Sequence, residues 1–374
     1  MKNIAIICEY NPFHNGHKLQ IEYIRSVFPE PVRVICLMSG NFVERGDIAC
    51  ADKYKRAEFA ILGGADLVLG LPFPYSLSGA QEYAYKNIEY LNFLPEIGYL
   101  CFGSESGDLR SLEAAAKRLC SEEFNSAMAD TARSEFSLSY ASLRSSLYYE
   151  IYGEKLPSTP NDILALEYLS ALIKSGSKIR PLIIKREAPF SAGGARNAIA
   201  AKKDFESMLP EYAAGYFKKD PALSINDLED FIIPSLSLSD PEEISAFRGM
   251  NAELASKLIK SARECGNILE LENALSDKRY TRARVRRAIL SSALRIDGRM
   301  TPPPYSLLLG ANSRGREYLS GYGREITGVY SKRSEIKDRL ILASFDREAA
   351  ADRIYRYIQR KKGIEPSVSP FIFL

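Results

Sequence analysis

Five short runs in the first 185 residues are apolar at nearly every position: NIAIICEY, VRVICLM, DLVLGLP, IGYLCFG and RPLIIK. A strand that alternates apolar and polar residues can leave one face in water. A strand that is apolar throughout must be covered on both faces. Between these runs lie segments with apolar residues at helical spacing, namely GHKLQIEYIRSVF, DKYKRAEFAILGG and AQEYAYKNIEYL. Strands that alternate with helices pair in parallel, because each crossover carries the chain back to the same end of the sheet. The pattern predicts an α/β fold, a Rossmann-like doubly wound parallel sheet with ligands at the carboxyl ends of its strands.

The alternation stops near residues 200–210, where LPEYAAGYFKKDPALS reads as a connecting segment. Two domains are expected, 1–205 built on the sheet and 206–374 mainly helical. Helical patterns in the second include DPEEISAFR, with Asp240 as N-cap and Pro241 at the first turn, NAELASKLIKSAREC and TRARVRRAILSSALR. RMTPPPYS interrupts this region before a last mixed piece.

No apolar run approaches the length needed to span a bilayer. MKNIAIICEYN is too short and lacks the small-residue cleavage site of a signal peptide. A cytoplasmic protein with no membrane partner is expected. The six cysteines are scattered without a CxxC pair. Cys8, Cys36 and Cys101 fall in apolar runs and read as buried thiols. The net charge of +3 neither requires nor excludes nucleic acid.

Both histidines of the chain, His14 and His17, lie in EYNPFHNGHKLQ. Cys8 ends the first strand, EYNPF turns the chain, and a helix is expected to begin near Asn15–Gly16. Unpaired N–H groups and the helix dipole favour an anion at that corner. Residues three apart there share one side, and Gly16 permits close approach of a flat ring or a phosphate. The arrangement suits a nucleotide triphosphate, with the imidazoles steadying charge on the α-phosphate and the departing pyrophosphate. Two other readings fit the spacing. HxxH can supply half of a metal site completed by carboxylates, or the rings can be satisfied by backbone. The order strand, Asn-Pro turn, histidine pair, helix favours the nucleotide, and no metal ligand set is expected.

NPFHNGH resembles the HIGH signature of the nucleotidyltransferase superfamily, which includes class I aminoacyl-tRNA synthetases and small adenylyltransferases. Further blocks narrow the match: MSGNFVERGDIACADKYKRAEFAILGGADLVLGLPFPYSLSGAQEYA, FGSESGD, PNDILALEYL and IIKREAPFSAGGARNAI. Together they look like the bacterial tRNA(Met) cytidine acetate ligase family. The resemblance covers most of the chain and is densest from Met1 to Ile199.

That resemblance implies an enzyme that uses ATP and acetate to acetylate the wobble cytidine of elongator tRNA(Met). An acetyl-adenylate forms first and pyrophosphate leaves. It makes 1–205 the ATP-binding catalytic domain and 206–374 the tRNA-binding one. It implies that Ile7, Cys8, Glu9, Tyr10, Asn11, Pro12, Phe13, His14, Asn15, Gly16, His17, Lys18, Leu19 and Gln20 wrap the ATP, with His14 and His17 catalytic at the phosphates. Gly103 would let the nucleotide lie against bare backbone. Asn161, at the opening of a helix, and Arg186, after strand RPLIIK, would add contacts. Mg²⁺ is expected with the ATP, but no carboxylate declares itself as its ligand. SAGGAR, Ser191 to Arg196, stands at the second phosphate signature, and Gly193 occupies a position where family members carry threonine. Gly40, Asn41, Arg45 and Gly46 are expected to face the crevice. Lys53 and Arg56 are expected near the acceptor nucleotide or its phosphates. Other classes this signature serves are a small-molecule adenylyltransferase and a non-catalytic RNA-binding protein.

KRYTRARVRR, Lys278 to Arg287, has six basic residues in ten and no acid. Arg279, Arg282 and Arg286 are expected on one helical face, opposite Val285, Ile289, Leu290 and Leu294. A solvated face and a membrane-surface helix are alternatives, but no aromatic anchor supports the membrane. These three arginines are the expected contacts to tRNA phosphates. Arg314, Arg316 and the RIYRYIQRKK segment add basic surface. No protein partner is evident.

Overall fold

β1 (Lys2–Cys8) is the pivot of the molecule. Its side chains alternate between two apolar layers. Ala5 and Ile7 enter one with Ile35, Leu37, Leu67 and Leu69. Ile4, Ile6 and Cys8 enter the other with Val34, Cys36, Met38 and Val68. This is the physical reason for runs apolar at every position in β1 and its inner neighbours, which have no wet face, whereas RPLIIK at the sheet edge is only partly buried. The computed structural model describes residues 1–134, 138–186, 190–322 and 328–372.

The strands are β1, β2 (Val32–Met38), β3 (Phe42–Val43), β4 (Asp47–Ile48), β5 (Leu67–Gly70), β6 (Ile97–Ser104), β7 (Arg180–Lys185), β8 (Ser306–Ala311), β9 (Val329–Tyr330) and β10 (Phe371–Ile372). The main sheet runs β10-β8-β5-β2-β1-β6-β7, with β9 on β8 and the β3–β4 hairpin apart. β5, β2, β1, β6 and β7 are mutually parallel. The helices of this half are α1 (Asn15–Val27), α2 (Lys53–Leu62), α3 (Ala80–Phe93), α4 (Leu109–Leu119), α5 (Glu122–Ser134), α6 (Tyr140–Tyr152), α7 (Pro160–Lys174) and α8 (Ala192–Ala200). The order reverses at β1, which has β2 on one side and β6 on the other. That is the topological switch point at which such sheets open a crevice.

The second half carries α9 (Glu211–Lys219), α10 (Glu229–Ser237), α11 (Pro241–Ser245), α12 (Ala252–Glu264), α13 (Ile268–Leu275), α14 (Arg282–Ala293), α15 (Ser313–Tyr322) and α16 (Arg339–Lys361). Helices α10 to α14 and the far end of α16 share a third apolar core. The expected N-cap holds, with Asp240 accepting from the Glu242 N–H at 2.7 Å.

The expected boundary at 205/206 does not separate the sheet from the helices. β8, β9 and β10 come from the second half yet extend the sheet of the first, with β8 antiparallel to β5. Asp66 anchors this return. Its fully buried carboxylate accepts from Arg25 at 2.8 Å, from the Val34 N–H at 2.8 Å and from Asn312 at 2.9 Å. A Cβ on Gly315 would stand 2.0 Å from the Asp66 carbonyl oxygen, so α15 docks only through bare backbone. Among the described residues, no helix is long and apolar enough to cross a membrane.

Candidate active site

The corner between β1 and α1 forms where the sequence placed it. His14 is the N-cap of α1, in extended conformation, and His17 is its third residue. The two imidazoles stack, with ring centroids 3.7 Å apart and planes at 18°. His17 Nδ1 accepts the backbone N–H of His14 at 3.2 Å. With Nδ1 an acceptor, the proton of a neutral His17 resides on Nε2. An aromatic bed holds the pair: Tyr10 lies 4.8 Å and Phe13 5.7 Å from the His17 ring, centroid to centroid. Phe13 is in turn seated on Gly63, where a Cβ would stand 2.4 Å from its ring.

Burial, and then the positive charge of Arg186, lower the His14 pKa to about 4. His17 is pushed well below its ordinary value by burial, then by His14 and Arg186. Both rings are therefore neutral at pH 7, donating hydrogen bonds rather than charge. The two histidines form a reciprocal capping box, each side chain turned to the other's backbone N–H.

A cleft of about 600 Å³ opens over this corner. Of the residues expected to hold ATP, Ile7, Cys8, Glu9, Tyr10, Asn11, His14, His17, Gln20, Gly103, Asn161 and Arg186 line it. Six others of the Ile7 to Gln20 stretch do not. Pro12 belongs to the turn. Phe13 is wholly buried beneath the histidines. Asn15 donates to the Ser207 carbonyl at 3.0 Å. Gly16 faces the His14 ring, 2.9 Å from where its Cβ would be. Lys18 pairs with Glu22 at 3.9 Å, and Leu19 is half exposed. The reason is helical geometry: only one side of a helix start can face a cleft.

Gly103 lines the cleft and is partly exposed, with Arg186 packed where a side chain would stand. The Arg186 methylenes lie 3.0 and 3.1 Å from the position of a Cβ, and the Arg186 guanidinium donates to the Phe190 carbonyl at 3.1 Å. The glycine makes room for an arginine, which lies across the cleft floor. Asn161 is not the N-cap of α7. That position is Thr159, and the Asn161 amide donates to the Glu105 carboxylate. Glu105 also accepts the Asp162 N–H at 3.0 Å and so caps α7 from outside.

SAGGAR opens α8 as expected. Ser191 is the N-cap and accepts the Gly194 N–H at 3.0 Å. Arg196 reaches back to the Asn11 carbonyl, tying this turn to the histidine corner. Glu187, Ala188 and Pro189 of the same block lie outside the described residues.

Lys53 and Arg56 are corrections. Neither faces the cleft. Lys53 is buried between Glu348 at 2.5 Å and Asp352 at 2.8 Å, both from α16. Arg56 is wholly buried and donates to the carbonyls of Ala51, Glu9, Ser39 and Gly40. It ties the loop after β1 to the loop after β2. Arg45 of the β3–β4 hairpin lines the cleft, but Gly40, Asn41 and Gly46 do not. Asn41 bonds to Asp352 at 2.8 Å, and Gly46, at φ +71°, lies against the backbone of Arg286 and Arg287.

The structure adds Glu44, Tyr83, Phe102, Glu105, Leu164 and Tyr168 to the cleft. All six fall inside the sequence blocks that carry the family resemblance, but no motif within those blocks singled them out. Glu44 is most distinctive. Its backbone N–H donates to Glu9 Oε1 at 2.8 Å, and its carboxylate lies 3.3 Å from Arg287 of α14. Burial, reinforced by Glu9 and opposed by Arg287 and Arg45, pushes its pKa up to about 7. Burial also raises Glu9, against the Glu44 N–H and the guanidinium groups of Arg45, Arg196 and Arg56. Among the described residues no three His, Cys, Asp or Glu side chains stand together to hold a metal.

The basic segment differs from expectation in one respect. α14 begins at Arg282, so Arg279 precedes it and does not share its face. Arg279 pairs with Glu253 at 2.7 Å. Arg282 and Arg286 converge on the wholly buried Glu272, at 3.2 and 2.5 Å. Val285, Ile289, Leu290 and Leu294 are buried as expected.

The HIGH Nucleotidyl Transferase family model matches residues 1–367. A tRNA(Met) cytidine acetate ligase of Thermoanaerobacter sp. (strain X514) is 31% identical over 395 residues, 96% of either chain. One from Clostridium acetobutylicum is 32% identical over 354 residues, 86% of this chain and 88% of its own. A crystal structure of Thermotoga maritima TmcAL bound with alpha-thio ATP superimposes with a TM-score of 0.90, at 26% identity over 100% of both chains. The chain therefore belongs to the tRNA(Met) cytidine acetate ligase family of HIGH nucleotidyl transferases.

Proposed function

We propose that the protein is an ATP-dependent tRNA cytidine acetate ligase of the cytoplasm. It activates acetate as acetyl-adenylate and transfers the acetyl group to N4 of the wobble cytidine of elongator tRNA(Met), releasing AMP and pyrophosphate. The observation that carries this reading is the stacked histidine pair at the mouth of α1. It lies in a cleft that also gathers Gly103, Asn161, Arg186 and the SAGGAR turn. Full-length similarity to a relative bound to an ATP analogue supports the same reading.

Acetate is already ionised at neutral pH, so its attack on the α-phosphate needs no base. It needs alignment and relief of repulsion between anions. Arg45, Arg186 and Arg196 supply positive charge around the cleft. The neutral histidines supply N–H donors, His17 through Nε2. Their hydrogen bonds strengthen as charge builds on the phosphate oxygens and the leaving pyrophosphate. Arg279, Arg282 and Arg286 meet the tRNA backbone. Their acid partners hold the guanidinium groups in place and lower the net charge they offer.

The test incubates the protein with ATP, labelled acetate and bulk bacterial tRNA. Label recovered in cytidine is the expected result. Pyrophosphate release with a phosphorylated small molecule but not with acetate would instead indicate an adenylyltransferase. Binding of tRNA without ATP turnover would indicate a scaffold.

A further inference from the structure

Acetyl transfer has a second half that the histidines do not serve. The lone pair of a cytosine exocyclic amine is conjugated into the ring, so the amine is a weak nucleophile. As its nitrogen bonds to the acyl carbon it becomes cationic and acidic, and a base must take a proton. The carboxylates and imidazoles that line the cleft among the described residues are Glu9, His14, His17, Glu44 and Glu105; burial raises Cys8, Tyr10, Tyr83 and Tyr168 there, so they stay protonated at neutral pH. His14 and His17 are made poor bases by burial and Arg186. Glu105 is committed to capping α7. Glu9 accepts the Glu44 N–H and is surrounded by the charges of Arg45, Arg196 and Arg56.

Glu44 differs in position. It sits on the β3–β4 hairpin, the wall of the cleft that also touches α14 through Gly46 and Arg287. An acceptor base brought in from the α14 side meets this wall. The Glu44 side chain is 17% exposed, enough to be reached.

We propose that Glu44 is the catalytic base that accepts the N4 proton of the acceptor cytidine during acetyl transfer. The N4–C bond forms as the acyl C–O bond to the adenylate phosphate breaks. The electron pair leaves with AMP, and one N4 proton passes to the Glu44 carboxylate and then to water. The groups facing that carboxylate are Glu9, Arg45 and Arg287. The push of burial and Glu9 against the pull of the two arginines leaves it poised near pH 7, where a base works best. The proposal rests on the acetyl-transfer reading above.

The experiment compares wild type with Glu44→Gln in two assays. Acetate-dependent exchange of pyrophosphate into ATP reads adenylate formation. Single-turnover transfer from preformed acetyl-adenylate to tRNA reads the second half. Glu44→Gln should keep exchange within about 3-fold and lose transfer by about 100-fold or more. Wild-type transfer should fall about tenfold per pH unit below pH ~7, and the variant should lose this dependence. Equal loss of both halves, or transfer within about 3-fold of wild type, overturns the assignment. If wild type shows no acetate-dependent label in tRNA, the function reading fails instead. Should Glu44→Gln not fold, Glu44→Asp keeps a titrating carboxylate. A lowered plateau with the pH limb retained supports the role, and an unchanged plateau overturns it.

Discussion

Replacing Arg56 by methionine tests whether one buried cation organises the cleft from behind. The guanidinium is wholly buried, and its three nitrogens serve four carbonyls, those of Ala51, Glu9, Ser39 and Gly40. Hydrogen bonds from a charged donor contribute about 1.5–3 kcal/mol each. The sum overstates the loss, because the substitution also removes the desolvation cost of a buried charge. The carbonyls, however, stay buried and lose their partner. Breaking a buried charged network in this way costs about 3–5 kcal/mol. We expect about 4 kcal/mol. With an m-value of about 3 kcal/mol/M, the urea midpoint falls by roughly 1.3 M. The effect also reaches function, because Glu9 and the Ser39–Gly40 segment lose their common tie. Displacement of such loops by about 1 Å lowers a positioned reaction on the order of 100-fold. Pyrophosphate exchange in the folded variant, well below its unfolding temperature, reads this. Arg56→Lys should lie between the two, since one ammonium cannot span four carbonyls. A midpoint shift under about 0.3 M, or a destabilised variant with wild-type exchange, would refute the reasoning.

Other outcomes follow from the same geometry. His14→Ala and His17→Ala should each lower acetate-dependent pyrophosphate exchange by about 100–1000-fold while tRNA binding in a filter assay stays near wild type. Gly193→Thr should fold normally, since nothing lies within 4 Å of its Cβ position, and should lower the KM for ATP roughly 5-fold by supplying one hydroxyl donor in SAGGAR. An unchanged KM would mean that turn does not touch phosphate. Acid should weaken the apo fold through His14. Its folded pKa of about 4 lies below the unfolded value of 6.5, so the unfolded chain binds the extra proton between them, and stability declines as pH drops through that window. The full effect is about 3 kcal/mol, and His14→Gln should flatten the urea midpoint between pH 6.5 and 4.5 relative to wild type. Parallel pH curves for the two proteins would contradict it.

Local features were legible because they depend on near neighbours. An apolar run shows that both faces of an inner strand are covered, whatever covers them, although the same pattern at the edge strand β7 leaves its residues only partly buried. A histidine three residues from another at a helix start shares its side, whatever the rest of the fold. Hence the sheet class, the β1–α1 corner, the Asp240 cap and the SAGGAR helix start could all be read from the chain. The same logic overreached at Pro12, Phe13 and Lys18, where family resemblance marks a contiguous stretch but only one side of it faces the cleft.

What tertiary structure alone decided were the partners of charged groups far apart in the chain. Lys53 and Arg56 look like a solvated helix face, and only α16, some three hundred residues on, and the strand-end carbonyls make them buried anchors. Gly103 reads as a turn glycine, and the fold packs Arg186 where its side chain would stand. The last mixed piece hides a strand, because SLLLGA becomes β8 only beside β5. Glu44 lies within a block that carries the family resemblance, but nothing in the sequence separates it from its neighbours there. The meeting of the β3–β4 hairpin with α14 buries it beside Glu9 and Arg287, and burial of a charge depends on what surrounds it rather than on its neighbours in sequence.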